Sequence, residues 1–588
     1  MLQKPLKVLA TSAILTTTLF TPIMTNHVVA RAETQEQTVA TQVFTERIFH
    51  VMGKGNVDII QNMDRRQFKF SPYEPTGLYA SPNEKITIRV EGTQPIVAYI
   101  GTFSYDAKWN QDSLIKSFTL APGENTIESP NGGMIYFNNP LQGGTVQAEI
   151  KTGGVPTPFF ELGKHTKQDL IHMLDTYPNA HAVELKGERS LITATPERVK
   201  KYLVGSNTDP VELLKKIDEA IRIEDRVSGL TEEQADKHYV HFVEDNQSDY
   251  YMYAYPSRTA YVGDAIKSVL DINKFTKDGW GPWHEMGHQR QQTPWMWDGL
   301  GEVTTNIYSM SVQRAFGNPS RLETDGTYEK AFTYLSKPQS EKDYNKIDDG
   351  FVKLTMFWQL DLAFGEEFYP KLHQLYRSIP RAELPKTSEE KTQAFIYNAS
   401  KVAKQNLLPF FDKWGLMASA ETKQKIEALH YPTLTAPIWE AKDSKPVKPL
   451  AVLSKTIMKA TANSEESWHD PASNAIDGNP NTIWHSKWST PNQYPFNLTL
   501  DLGDTRTITQ LSYLPRQDTS TNGRILIYNI YTSTDGVDYQ KVAFGTWENS
   551  TKQQLATFKP VSAKYVKLEI VNGINGYASA AEIDILGY

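Results

Sequence analysis

Five residues, His284-Glu285-Met286-Gly287-His288, constrain this chain more than any others. Gly281 and Pro282 stand just ahead of them. Glycine can cap a helix and proline suits its first position, so a helix starting here is predicted. Residues four apart lie about 40° apart around a helix and one turn along it. Two imidazoles on one face can then hold a single Zn²⁺. Glu285 need not bind the metal. From its position beside His284 it can take a proton from an attacking water and pass it to a leaving amine.

A catalytic zinc needs a third protein ligand. Two acidic residues lie at workable spacing, Asp298 and Glu302. Gln291 to Pro294 end the first helix, Gly299 and Gly301 give a turn, and a second helix is predicted from about Gly301. Glu302 falls on that helix and Asp298 in the turn, so Glu302 is the better ligand. Asn306 follows Glu302 by one helical turn and could orient a ligand. His165, His172, His238, His241 and His373 have no such pattern and read as structural. No G-x-S-x-G, phosphate-binding loop or dinucleotide fingerprint competes.

The chain has 588 residues, too many for one core. It has no cysteine, which removes thiolate zinc sites and cysteine nucleophiles. Its net charge of −7, with no long basic run, argues against nucleic acid as a partner. Residues 1–32 read as an export signal: Lys4 and Lys7, then an apolar stretch from Val8 to Met24, then Ala30-Arg31-Ala32. No later stretch is long and apolar enough to span a bilayer. The expectation is a secreted bacterial protein, not embedded in a membrane and with no signature of oligomerisation, hence a monomer.

Residues 33–45 are polar and read as a disordered leader. From 46 to 158 alternation such as Lys85 to Val90, bounded by Pro and Gly turns, predicts a β-sandwich. Residues 159–432 read as mixed helix and strand, then mainly helix. Asp209-Pro210 starts one helix, and Lys353–Phe364 and Gln393–Leu408 are others. Tyr239–Val243 and Tyr250–Ala254 read as strands. Residues 433–452 carry a Pro-rich linker ending Lys445-Pro446-Val447-Lys448-Pro449. Residues 453–588 are β-rich, with about eight short strands expected. The fold class is thus multidomain α+β, with a mainly helical zincin-type catalytic domain between two β-sandwiches.

The segments Trp283 to Gln289 and Gly301 to Ser309 resemble the enhancin-like zinc peptidases, whose pattern is H-E-x-G-H followed by a glutamate. The resemblance spans about 45–440. It implies zinc on His284, His288 and Glu302, Glu285 as the base, and mucin-type O-glycosylated proteins as substrates.

Residues 455–588 are similar to coagulation factor 5/8 type C and family 32 carbohydrate-binding domains. The matching segments are Asn474 to Ser486, Leu500 to Gly503, Ser533 to Gly536 and Ala580 to Ile583. An eight-stranded jelly roll is implied. Asp477, Asn479 and Thr482 offer oxygens on one tight loop, which suits Ca²⁺. By resemblance Asn474, Ala581 and Glu582 complete a structural calcium site. His485, Arg516 and Asn522 could hydrogen-bond sugar hydroxyls and Tyr577 could stack on a ring, with glycans of galactose or N-acetylgalactosamine type expected. The expected whole is a secreted zinc endopeptidase with a glycan-binding module. The rivals are a non-catalytic glycan adhesin and a zinc amidase of cell-wall glycopeptides.

Overall fold

A computed structural model describes residues 46–102, 112–489 and 493–587. The expected export signal and polar leader lie outside the described residues.

The first domain packs a four-stranded sheet on a five-stranded one. In the four-stranded sheet Ile48–Lys54 is followed in space by Gln142–Thr152, Ile86–Glu91 and Gly123–Ile127. Period-2 alternation buries Ile86, Ile88 and Val90 against Ile96, Ala98 and Ile100 of the facing sheet.

The region between the two sandwiches is mainly helical and carries one six-stranded sheet. Its six strands run, in spatial order, Phe159–Glu161, Val183–Lys186, Ser190–Ala194, Val240–Asp245, Arg258–Val262 and Met252–Tyr255. Met252–Tyr255 is therefore the edge strand, paired antiparallel to Arg258–Val262. Asp209 caps Pro210–Val227 as expected, its carboxylate accepting from the Val211 amide. The leucines and isoleucines of that helix bury against the sheet in one core.

A second core joins the helices Gly301–Ala315, Gly350–Phe364, Phe368–Ser378 and Ser388–Ala403. The helix expected over 393–408 ends earlier, at Ala403. Lys404 turns left-handed at φ 51° and Leu408–Trp414 forms separately.

The first domain braces this assembly. Tyr136 donates to buried Glu184 at 2.7 Å. The Gln67 amide donates to the Gln291 carbonyl at 3.0 Å, beside an antiparallel bridge between Arg66 and Gln292.

The Pro-rich stretch is held, not free. Asp443 accepts from Ser320, Tyr328 and Trp358 at 2.6, 2.7 and 2.8 Å, and Gln359 donates to the Trp439 and Ala441 carbonyls. A linker reading rests on proline content alone and misses these side-chain partners.

The last domain is a seven-stranded sheet with a two-stranded one, Trp484–His485 against Ser579–Ala580. Two strands are long, Phe496–Leu514 and Gln554–Gly573, rather than short as expected. Register breaks between Asp501 and Arg506 let them bend, so each does the work of two strands. Among the described residues no helix is long and apolar enough to cross a membrane.

Candidate active site

The helix carrying the histidines runs Trp280–His288, with Gly279 at its cap. It starts ahead of the expected position, and Pro282 sits in its first turn, where its missing N–H costs nothing. Trp283 and Met286 are buried in the sheet-side core. Each such side chain contributes about 1.5–3 kcal/mol by burial, which fixes the helix's rotation. His284, Glu285 and His288 are thereby turned the other way.

The helix Gly301–Ala315 crosses against it. Gly287 permits the approach: a Cβ there would lie 2.6 Å from the Thr305 hydroxyl and 2.7 Å from its carbonyl. The Thr305 hydroxyl donates to the His284 carbonyl at 2.6 Å. Gly299, at φ 81°, makes the turn between the helices.

This crossing delivers Glu302. Its Oε2 lies 2.9 Å from His284 Nε2 and 3.4 Å from His288 Nε2. The two Nε2 atoms are 3.1 Å apart. Asp298 is exposed and is anchored through its backbone amide to Ser388, 3.1 Å away.

The protons in this cluster are assigned by its neighbours. Asn306 Nδ2 donates to the Glu302 carbonyl at 2.9 Å, which turns its Oδ1 toward His284 Nδ1 at 2.7 Å. Gln291 Nε2 donates to the Gly301 carbonyl and the Thr304 hydroxyl, both at 2.7 Å, which turns its Oε1 toward His288 Nδ1 at 2.8 Å. Each Nδ1 must then be the donor, and each Nε2 is left with a bare lone pair.

Two bare lone pairs and a carboxylate oxygen within 3.4 Å repel one another unless a cation lies between them. Zinc ligands at about 2.0–2.2 Å in a tetrahedron stand about 3.3 Å apart, close to these separations. The donor set therefore fits a zinc ion.

Gln291 is a finding of the structure. In sequence it reads only as the end of a helix. Its spacing of three from His288 is the signal that could have found it.

Glu285 is buried, and its ligand-capable oxygen lies within 4.8 Å of those of His284 and His288. Burial raises its carboxyl above the ordinary range, offset by the two histidines and by the backbone of Ala254 on the edge strand. Glu302 is the opposite case. Its side chain is 79% exposed.

In the last domain the four expected sugar contacts lie together. The His485 ring is 5.3 Å from Tyr577 and 5.1 Å from Trp488. Arg516 forks onto Asp518 at 2.7 and 2.6 Å and donates to the Asn522 carbonyl at 3.0 Å. His485 Nδ1 donates to the Ser486 carbonyl at 2.6 Å, which leaves Nε2 as an acceptor. Trp468, 74% exposed, and Trp488 stand at the same face with ring centroids 6.4 Å apart. Sequence reading passed over both tryptophans, since nothing in their spacing sets them apart.

Of the expected calcium ligands, Asp477 accepts from the Asn479 amide at 2.8 Å and from Thr482 at 2.7 Å. Asn474 donates to the Ile483 carbonyl at 3.0 Å, and the Ala581 amide donates to Leu514 at 2.9 Å. Glu582 Oε1 is buried with no partner, while Oε2 meets Lys455, which also binds Asp584 at 2.8 Å. Burial raises the Glu582 carboxyl, and the charges of Asp584 and Asp477 add to the rise.

The profile of "Peptidase M60, enhancin and enhancin-like" matches residues 153–415, and that of the N-terminal domain of M60-like peptidases matches 36–152. A conserved protein of unknown function from Bacillus anthracis str. Ames is 44% identical over 77% of this chain and 96% of its own, at TM-score 0.65. The chain belongs to the enhancin and enhancin-like M60 peptidases.

The family is one of peptidases, and membership implies a metal. The M60 catalytic domain of Clostridium perfringens ZmpC, solved with the sialyl T antigen, has the same fold at 17% identity, covering 90% of this chain and 99% of that one, at TM-score 0.58. An F5/8 type C domain matches residues 459–583. The chain is 40% identical over 135 residues to a sialidase of Micromonospora viridifaciens, 22% of this chain and 21% of the sialidase. The chain spans about a fifth of the length of the curated relatives it matches first.

Proposed function

We propose that the protein is a zinc endopeptidase of mucin-type O-glycosylated proteins, exported from a bacterium through its first 32 residues. His284, His288 and Glu302 hold the zinc, and Asn306 and Gln291 orient the two histidines. The observation that carries the reading is the convergence of two Nε2 atoms and one carboxylate oxygen within 3.4 Å.

Zinc at this position supplies a Lewis acid that polarises a peptide carbonyl and makes water a better nucleophile. The rest is the work of side chains. A substrate lies extended along the edge strand Met252–Tyr255, pairing its backbone with that edge. Glu285 accepts a proton from the water that attacks the carbonyl carbon. It returns that proton to the amide nitrogen as the C–N bond breaks, so the products are a carboxylate and an amine. Burial of Glu285 favours its protonated form and so strengthens it as the base.

The C-terminal domain binds galactose-type or N-acetylgalactosamine-type sugars with His485, Arg516, Asn522 and Tyr577, and with Trp468 and Trp488. Calcium lies among Asn474, Asp477, Asn479, Thr482, Ala581 and Glu582 and stabilises the loop. The unpartnered, buried Glu582 oxygen beside Asp477 supports this. The relatives' printed names, a sialidase and a peptidase domain bound to sialyl T antigen, support glycan-bearing substrates. The protein acts as a monomer.

Degradation of an O-glycosylated mucin is the test, run beside a Glu285→Gln variant and a chelated sample. Cleavage by the native protein alone is expected. An intact mucin with zinc bound would remove this substrate class.

A further inference from the structure

The residue that orients the His288 ring stands past the end of the helix that carries it. That helix closes at His288 with Gln289 as its cap, and Gln291 lies two residues beyond. The helix still holds Gln291 by one bond, from its amide to the Gly287 carbonyl at 3.1 Å. Its own carbonyl has no further helical turn to pair with.

The first domain supplies that partner. The Gln67 amide donates to the Gln291 carbonyl and the Thr293 amide donates to the Arg65 carbonyl, both at 3.0 Å. Between them Gln292 Nε2 donates to the Asp64 carbonyl, also at 3.0 Å. Residues 291–293 are thus gripped by the turn that follows the first domain's helix Val57–Asp64.

Arg66 anchors the turn. Its Nη2 donates to Asp236 of the catalytic domain at 2.7 Å. Its guanidinium lies 4.2 Å over the Phe70 ring, and Arg290, the neighbour of Gln291, lies 4.9 Å over the same ring. Gln61 donates to the Arg66 and Gln67 carbonyls at 3.4 and 2.7 Å. Arg66, Phe70, Asp236, Arg290 and Gln291 are all buried, so water cannot stand in for a lost partner.

A glutamine reaches its ring through three rotatable bonds, so the ring is held only as firmly as the glutamine's backbone. We propose that Arg66 is a positioning residue of the metal site, fixing the backbone of Gln291 and through it the orientation of His288. This rests on the metal-site reading above. The first domain then belongs to the framework of the site as well as bracing the fold.

The test is chelator competition for zinc on the full-length chain, below its melting transition. The variants are Arg66→Ala, Gln61→Ala, Gln291→Ala and the doubles that join each of the first two to the third. Arg66→Ala is expected to weaken zinc about tenfold. Gln61→Ala, which keeps the ion pair and loses two hydrogen bonds, is expected to weaken it about threefold. In the Gln291→Ala background neither costs anything further, because no side chain remains to be misplaced.

Native affinity in Arg66→Ala overturns the proposal, as does a loss that adds in full to that of Gln291→Ala. If Arg66→Ala does not fold, Gln61→Ala and its double decide by the same two criteria. If the native protein binds no zinc, the metal reading falls by itself. A crystal structure of the Gln61→Ala chain then decides: Gln291 Oε1 moved out of hydrogen-bonding distance of His288 Nδ1 supports the proposal, and an unmoved Oε1 overturns it.

Discussion

The proposed metal site and the proposed C-terminal sugar face are both built from histidine and its neighbours, but they are built differently. At the cluster each reacting atom is set by a helix. His284 and His288 share one helix, Glu302 opens the next, and Asn306 and Gln291 lock both rings. At the sugar face the parts come from separate loops and short strands, with His485 on a two-residue strand and Trp468 largely in solvent. A reaction needs atoms held to fractions of an ångström, whereas a sugar can be met by a broad aromatic surface.

The largest effect that would sharpen this contrast is at the base. Glu285→Gln is expected to lower kcat about 10³-fold while zinc content by mass spectrometry stays at the native level. A comparable loss of zinc would make Glu285 a ligand and break the comparison.

The locking residues come next. Gln291→Ala and Asn306→Ala are each expected to weaken zinc binding about 10- to 100-fold in a chelator competition, because the ring nitrogens lose their fixed tautomer. Unchanged affinity would mean that the helices alone suffice.

At the sugar face a softer response is expected. Trp488→Ala should weaken binding of galactose-type sugars about tenfold by titration and leave cleavage of a short glycopeptide untouched. The smallest effect is on stability. Removing calcium should lower the melting of the C-terminal domain by a few degrees and leave the catalytic domain's transition in place. A shift of the catalytic transition instead would mean that the two domains unfold as one.

What the sequence revealed divides along the same line. That His284, Glu285, His288 and Glu302 lie together was legible because helical spacing turns a count of residues into a direction. The sandwich strands were legible from alternation, as at Lys85 to Val90. Gln291 was not, because its role depends on a turn that returns its amide to His288. Trp468 and Trp488 were not, because twelve tryptophans offer no spacing to choose between them. The docking of Asp443 was hidden for a similar reason: its partners Ser320, Tyr328 and Trp358 are remote in the chain. The long bent strands escaped because a register break reads as a turn.

The account's central claim is that Glu302, with the two histidines, completes the metal site while Glu285 stays off it. The most direct measurement is a crystal structure of the zinc-loaded protein, with anomalous scattering to locate the ion. The account predicts zinc bonded to Nε2 of His284, Nε2 of His288 and a carboxylate oxygen of Glu302, with Glu285 unbonded. Zinc held by Glu285 or Asp298 in place of Glu302 would contradict it.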